Sequence, residues 1–199
     1  FKDFWMAFLS GQNLPALSVS KTLNMVDLFS ASGGLSNGVR LAARAAGYDA
    51  NTILAADIDE RALDFYARNH KPLETHHGSV EELVHFETRT SGDQVGFTRR
   101  PKLSQVGSSL ITEEIDLLVG GPPCQGHSSL NTRTRHNDPR NRLYLTMPAI
   151  AIACDIPIVI IENVPGVVRD HGGVVDIARK MFLEAGYQVQ ERVIAADDL

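Results

Sequence analysis

The stretch that decides the fold is residues 25–57, MVDLFSASGGLSNGVRLAARAAGYDANTILAAD. Its opening, Met25 to Phe29, is a short apolar run interrupted by Asp27 and reads as a strand. From Ser36 to Gly47 an Ala- and Leu-rich amphipathic stretch predicts a helix, and TILAAD, residues 52–57, predicts a second strand. ERALDFYARNH, residues 60–70, supplies the next helix. A β-α-β-α order of this kind is the rhythm of a parallel sheet covered by helices.

Outward from that stretch the rhythm resumes at Ile115–Gly121 (IDLLVGG), passes through a predicted helix from Leu143 to Asp155, and reaches PIVIIEN at Pro157–Asn163. These runs are nearly continuous in apolar residues, as expected of strands buried on both faces. A last helix, Val174 to Ala185, should stop at Gly186, a residue suited to the left-handed cap, with YQVQERVI following as a strand. The sequence between Phe86 and Ile111 turns polar without a clear period and predicts a long surface excursion. The fold class is therefore α/β, a mostly parallel, Rossmann-like sheet with helices on both faces. Residues 25–199 form the main domain and 1–24 an opening segment without a readable role.

Composition agrees with one ordinary core: of 199 residues, 43% are hydrophobic and 22% charged. No run is long enough to span a membrane, and FKDFWMAFLS lacks the basic start and long apolar centre of a secretory signal, so a cytoplasmic protein is expected. The two cysteines, Cys124 and Cys154, do not suggest a disulfide framework, and Cys154 sits in the apolar run AIAIACDIPIVII as a small buried thiol would. A net charge of -5 argues against nucleic acid as a partner on average. The distribution is less adverse, because basic residues gather at Arg99, Arg100 and Lys102 and at Arg133, Arg135, Arg140 and Arg142, although either group taken alone reads more readily as a solvated loop.

Two places carry chemistry. VDLFSASGGLSNGV, residues 26–39, puts small residues directly after a strand and at the mouth of a helix, where backbone can approach a ligand and N–H groups point outward. It lacks the GxGxxG spacing that cradles a pyrophosphate, which makes a nicotinamide dehydrogenase improbable. Asp57 closes the second strand and is placed to accept hydrogen bonds from ribose hydroxyls. The bland alternative is that Gly33 and Gly34 only make a tight turn and Asp57 only caps the next helix.

GGPPCQGHSS, residues 120–129, follows a predicted buried strand, so Cys124 falls where the crevice of a parallel sheet opens. Backbone N–H groups there favour a thiolate, and Pro-Pro before with Gln-Gly after are poor company for a core strand. Glu162 and Asn163 end the next strand beside the same crevice. Partial burial would lift the Glu162 carboxyl toward a range useful for giving a proton, while a glutamate emerging into solvent is the plainer possibility.

Taken in order, DLFSASGG, AADID, GGPPCQGHS, DPRN and IENV resemble the motifs of the DNA cytosine-5 methyltransferase family. The resemblance runs from about Met25 to the C-terminus and implies S-adenosylmethionine as cofactor, double-stranded DNA with a flipped-out cytosine as partner, and no metal. It implies that Phe29 packs on the adenine, Asp57 holds the ribose, Ile58 lines the adenine's other side and Leu143 also touches the cofactor, with Ser30, Gly33, Gly34, Ser79 and Val80 completing that set. It further implies that Cys124 adds to C6 of the base while Glu162 bonds or protonates N3, and that Asn163 and Pro123 shape the pocket.

The sequence departs from the family pattern at His127, where Phe is frequent, and at Gly78-Ser79, where Gly-Asp is frequent. It also ends at AADDL, where an arginine-bearing motif, a target-recognition region and a closing helix would follow, so the chain reads as a fragment whose missing half could lie in a second polypeptide. An RNA cytosine methyltransferase and a silent binding protein of the same fold are the competing expectations.

Overall fold

The computed structural model describes residues 21–91, 94–123, 139–164 and 173–194. Residues 1–20 of the opening segment, Cys124, His127, Arg133 and Arg135 lie outside the described residues, while residues 21–24, expected to precede the main domain, belong to its first strand.

Five parallel strands form the sheet, in the order β3-β2-β1-β8-β9. They are β1 (Lys21–Leu28), β2 (Tyr48–Asp57), β3 (Glu74–His77), β8 (Leu117–Gly120) and β9 (Ile158–Ile161). Helices α1 (Gly34–Ala45) and α2 (Glu60–His70) connect the first three strands. After β3 the chain returns to the other side of β1, so β1 and β8 flank the topological switch point, where a crevice opens at the carboxyl ends of the strands.

Alternation along the strands divides the core. Val26, Leu28 and Leu118 join the large cluster with Tyr144, Met147 and Ile150 of α4 (Pro139–Ala153). Their sequence neighbours Met25, Leu117 and Val119 pack instead with Leu35 and Val39 of α1. Two faces thus bury two different residue sets from the same strands, which accounts for the continuous apolar runs of β1 and β8. Where β1 meets β2 the register shifts between Met25 and Val26, which pair with Thr52 and Leu54, leaving Ile53 as an extra residue.

Helix α2 covers the predicted residues 60–70 because Asp59 caps it, accepting from Arg61 N at 2.9 Å and Ala62 N at 3.2 Å. Helix α4 begins at Pro139, earlier than the expected Leu143. Proline suits a first helical position, where its missing N–H would have no partner in any case. Helix α5 (Val174–Glu184) ends before Gly186, which is left-handed at φ 92°.

Three expectations are corrected. Strand β9 is not buried on both faces: Ile158 is 53% and Ile160 41% exposed, because β9 is the edge strand and its residues alternate between the core and an open face. Residues 187–194 are not a strand, since among the described residues no strand pairs with them; Tyr187 fastens the segment instead, its hydroxyl donating to Ile156 O at 2.6 Å. Residues 86–111 are more than a surface loop. They contain the hairpin of β5 (Thr88–Ser91) and β6 (Gln94–Phe97), and β7 (Lys102–Leu103), which pairs with β4 (Val84–His85). Helix α3 (Gln105–Leu110) follows, with Gly107 so close to Leu83 O that no side chain fits. The aromatic edge contact of Phe86 and Phe97, at 5.6 Å, gives the excursion its own packing, which a polar composition conceals.

Candidate active site

At the end of β1 the backbone turns through Phe29 (φ 57°), Ala31 (φ 44°) and Gly33 (φ 88°) before entering α1. Left-handed Phe and Ala are uncommon and persist only where surrounding contacts hold them. The main such contact is Asp57: its Oδ2 accepts from Ala31 N at 2.8 Å and its Oδ1 from Asp59 N at 2.8 Å. One carboxylate therefore fastens the β1–α1 turn to the β2–α2 turn. Asp57 is not the cap of α2, the role Asp59 takes, and two further lone-pair positions remain on its oxygens for a ligand's hydroxyls.

The two glycines separate. Gly33 is glycine for internal reasons, because its φ is positive and a Cβ there would overlap the His70 ring. At Gly34 a Cβ would meet nothing within 4 Å, so the space beside it is open to a ligand. Ser30 is 5% exposed, its N donates to Ala56 O at 3.1 Å, and its Oγ is buried without a hydrogen-bond partner. A buried hydroxyl of that kind costs stability unless something completes it.

Across the crevice Ile58 is 75% exposed, an apolar side chain left at the ligand edge, and His77 Nε2 lies 3.2 Å from the Ile58 carbonyl. Ser79 Oγ accepts from Glu81 N at 3.3 Å and so caps the 3-10 turn Val80–Leu83. Val80 is 2% exposed and belongs to the core, which leaves only its backbone for a ligand. Leu143 is half-buried against the same core. Beside it Arg142 pairs with Glu81 at 2.7 Å and stacks over Phe86 at 4.6 Å, joining the start of α4 to the 3-10 turn. Sequence reading grouped Arg142 with loop cations and missed this joint, whose only signal was Glu81 sixty-odd residues away. Arg99 and Arg100 are likewise paired, with Glu87 and Asp155.

On the other side of the switch point, Glu162 N donates to Gly120 O at 3.0 Å, and Asn163 Nδ2 donates to Pro122 O at 2.9 Å. Asn163 thereby ties the end of β9 to the prolines that precede Cys124. Pro122 is buried and Pro123 exposed. Glu162 is exposed rather than partly buried, because the edge strand carries it out to the open face. It lines an open apolar groove with Ile160 and with Gly34, Leu35, Gly38, Val39 and Ala42 along α1. Cys154, the other thiol, is pushed up to about 11 by burial, which keeps it a neutral packing residue.

The donor set fits an adenosyl cofactor: an unpartnered buried hydroxyl, a carboxylate with free lone pairs, an exposed isoleucine and an open space beside Gly34. Comparison with known proteins agrees. The model of the C-5 cytosine-specific DNA methylase family matches residues 23–199. The chain is 32% identical over 208 residues to the Type II methyltransferase M1.BsuMI of Bacillus subtilis (strain 168), covering 100% of this chain and 44% of that protein. It is 29% identical to the Type II methyltransferase M.DdeI of Desulfomicrobium norvegicum, over 88% of this chain and 37% of that one. Among solved structures it resembles a prophage-encoded protein from E. coli assigned as a DNA modification methyltransferase, with a TM-score of 0.54 and 28% identity over 79% of this chain and 37% of that one. The chain thus spans less than half the length of each of these relatives. With the family model matched from residue 23 to residue 199, this chain belongs to the C-5 cytosine-specific DNA methylases.

Proposed function

We propose that the protein methylates C5 of cytosine in double-stranded DNA, with S-adenosylmethionine as the donor and Cys124 as the nucleophile, and that residues 25–199 are its catalytic and cofactor-binding part. The observation that carries this reading is the Asp57 carboxylate, which fastens the β1–α1 turn to the β2–α2 turn with lone pairs to spare, while across the switch point Asn163 holds the Pro122 carbonyl two residues before Cys124.

Asp57 would hold the ribose, Ser30 Oγ would gain the partner it lacks, and Phe29, Ile58 and Leu143 would enclose the adenine, with Gly33, Gly34 and the backbone of Ser79 and Val80 bordering the space. When bound, the cofactor supplies an electrophilic methyl group. The protein's own part is to make C5 nucleophilic. Cys124 Sγ adds to C6 of a flipped-out cytosine, and Glu162, hydrogen-bonded to N3 or protonating it, stabilises the negative charge that enters the ring. Asn163 and Pro123 shape the pocket. Once C5 carries the methyl group, loss of its proton and departure of Sγ restore the double bond and free the thiolate.

Target recognition falls to sequence beyond these residues, in the same chain or a second polypeptide, and the likeness to Type II methyltransferases supports a role in a restriction-modification system. Among the described residues no helix is long and apolar enough to cross a membrane, and we place its work in the cytoplasm or at the nucleoid. The test is a duplex carrying 5-fluorocytosine at its cytosines, incubated with S-adenosylmethionine and the protein supplied with its recognition region. Because the C5 fluorine cannot leave as the proton does, a covalent complex resistant to denaturant should accumulate and should map to Cys124. Transfer to RNA with no trapping on DNA would overturn the reading.

A further inference from the structure

Behind the glycine turn lies a chain of buried polar groups that the proposed chemistry does not use. Asp27, 1% exposed on β1, has its Oδ2 2.5 Å from Ser36 Oγ of α1. Ser36 Oγ is 2.7 Å from Tyr66 OH of α2, and Tyr66 OH is 3.2 Å from Thr52 Oγ1 of β2. Arg40 of α1 donates to Thr52 Oγ1 at 3.2 Å and to His70 O at 3.0 Å. The Tyr66 and His70 rings meet at a tilt of 41° with centroids 4.6 Å apart, and both lie where a Cβ on Gly33 would be, the Tyr66 ring at 2.9 Å from it.

A core needing only packing would fill this space with apolar side chains, since a buried carboxyl is costly even when hydrogen-bonded. What the network does is geometric: it joins β1, β2, α1 and α2 at one point, and that point is the rear wall of the turn whose front faces the cofactor space. We propose that Asp27, Ser36, Tyr66 and His70 are positioning residues that hold the Ser30–Gly34 turn in its cofactor-accepting shape. The inference rests on the cofactor assignment for what the turn accepts, but not for what holds it.

Charge gives the network a second signature. Burial pushes the Asp27 carboxyl up to about 7, with hydrogen bonds from Ser36 and Tyr66 opposing and the nearby Asp57 charge adding to the rise. The charged or titratable groups around it are Asp57 at the end of β2, Arg40 on α1, and Tyr66 and His70 on α2. Strand β8, its other neighbour, carries none. Once ionised, Asp27 can only accept, so Thr52, Tyr66 and Ser36 donate in sequence toward it and the chain has one direction. The negative charge also favours a sulfonium ligand.

Tyr66→Phe and Ser36→Ala should each weaken S-adenosylmethionine about fivefold to tenfold, as read by calorimetry on the full chain, by breaking the chain without removing a ligand contact. In the same variants the Gly33 amide, which donates to Ser30 O at 2.8 Å, should exchange faster in the ligand-free protein. The affinity should rise with pH through about 7, and Asp27→Asn should flatten that rise. Tyr187→Phe removes a half-buried, hydrogen-bonded hydroxyl far from the turn and serves as the control for simple loss of stability; it should change none of these readings. Unaltered affinity and unaltered Gly33 exchange in folded Tyr66→Phe and Ser36→Ala would overturn the inference. If the unaltered chain binds no S-adenosylmethionine, the cofactor assignment fails, and Gly33 exchange alone still decides whether the network holds the turn.

Discussion

The two ends of the crevice are built differently. At the carboxyl ends of β1 and β2 the turns are fastened by side chains: Asp57 to two backbone amides, Asp59 to the start of α2, and the Asp27–Ser36–Tyr66–Thr52 chain behind them. At the ends of β8 and β9 the ties among the described residues are the Asn163–Pro122 bond and the Glu162–Gly120 backbone bond, and Glu162 stands exposed at the end of an edge strand. The contrast teaches where preorganisation is placed. A small cofactor gains affinity when its site is rigid before it arrives, whereas a base drawn out of a duplex needs an open approach.

That contrast can be broken most severely at the open end. Cys124→Ser should lower methyl transfer by a factor on the order of 10³ or more while S-adenosylmethionine binding stays within about twofold, because a hydroxyl is a far poorer nucleophile than a partly ionised thiol. Turnover assays beside calorimetry decide it, and wild-type turnover would remove Cys124 from the mechanism.

The fastened end should respond through stability and cofactor affinity. Asp27 holds its proton to about 7 in the folded chain, against an ordinary value of 3.8 when unfolded. Between about pH 4 and 7 the unfolded state has therefore lost a proton that the folded state keeps. The contribution is fully present below pH 4, is lost as pH rises to about 7, and is flat above. Its size is on the order of 4 kcal/mol. Asp27→Asn should remove that slope, so thermal unfolding measured from pH 4 to 8 should fall less steeply in the variant; parallel curves would show that Asp27 is not the group responsible.

Asp57→Ala should weaken S-adenosylmethionine by about 1–3 kcal/mol, the usual cost of losing hydrogen bonds to a charged acceptor. Part of that loss would come through the freed Ala31 and Asp59 amides. A dissociation constant unchanged in a folded variant would end its assignment. The smallest effect is expected at Asn163: replacement by Ala should slow turnover by about tenfold, through release of the Pro122 carbonyl, with little change in cofactor affinity. Were cofactor affinity to fall equally, the two ends would be coupled and the contrast would need revision.

Much of the molecule was legible in one dimension. The strand cores of β1, β2 and β8, the helix at 60–70, and the positions of Asp57 and Glu162 at strand ends all follow from periodicity and local turn chemistry, which act over a few residues; that Asp59 and not Asp57 caps the helix did not. The motif order, from DLFSASGG to IENV, pointed to the family that the comparisons then showed. What only tertiary structure decided depends on approach between distant segments. Asp57 bonds Ala31 because two strands paired in parallel bring their following turns together, and Ser30 Oγ is unpartnered because of what surrounds it after folding. Gly33 must be glycine because His70, 37 residues on, lies against it. Ile158 and Ile160 are exposed although their run is as apolar as that of β8, because hydrophobicity along a strand records what could be buried, and only the order of strands in the sheet decides which strand is left at the edge.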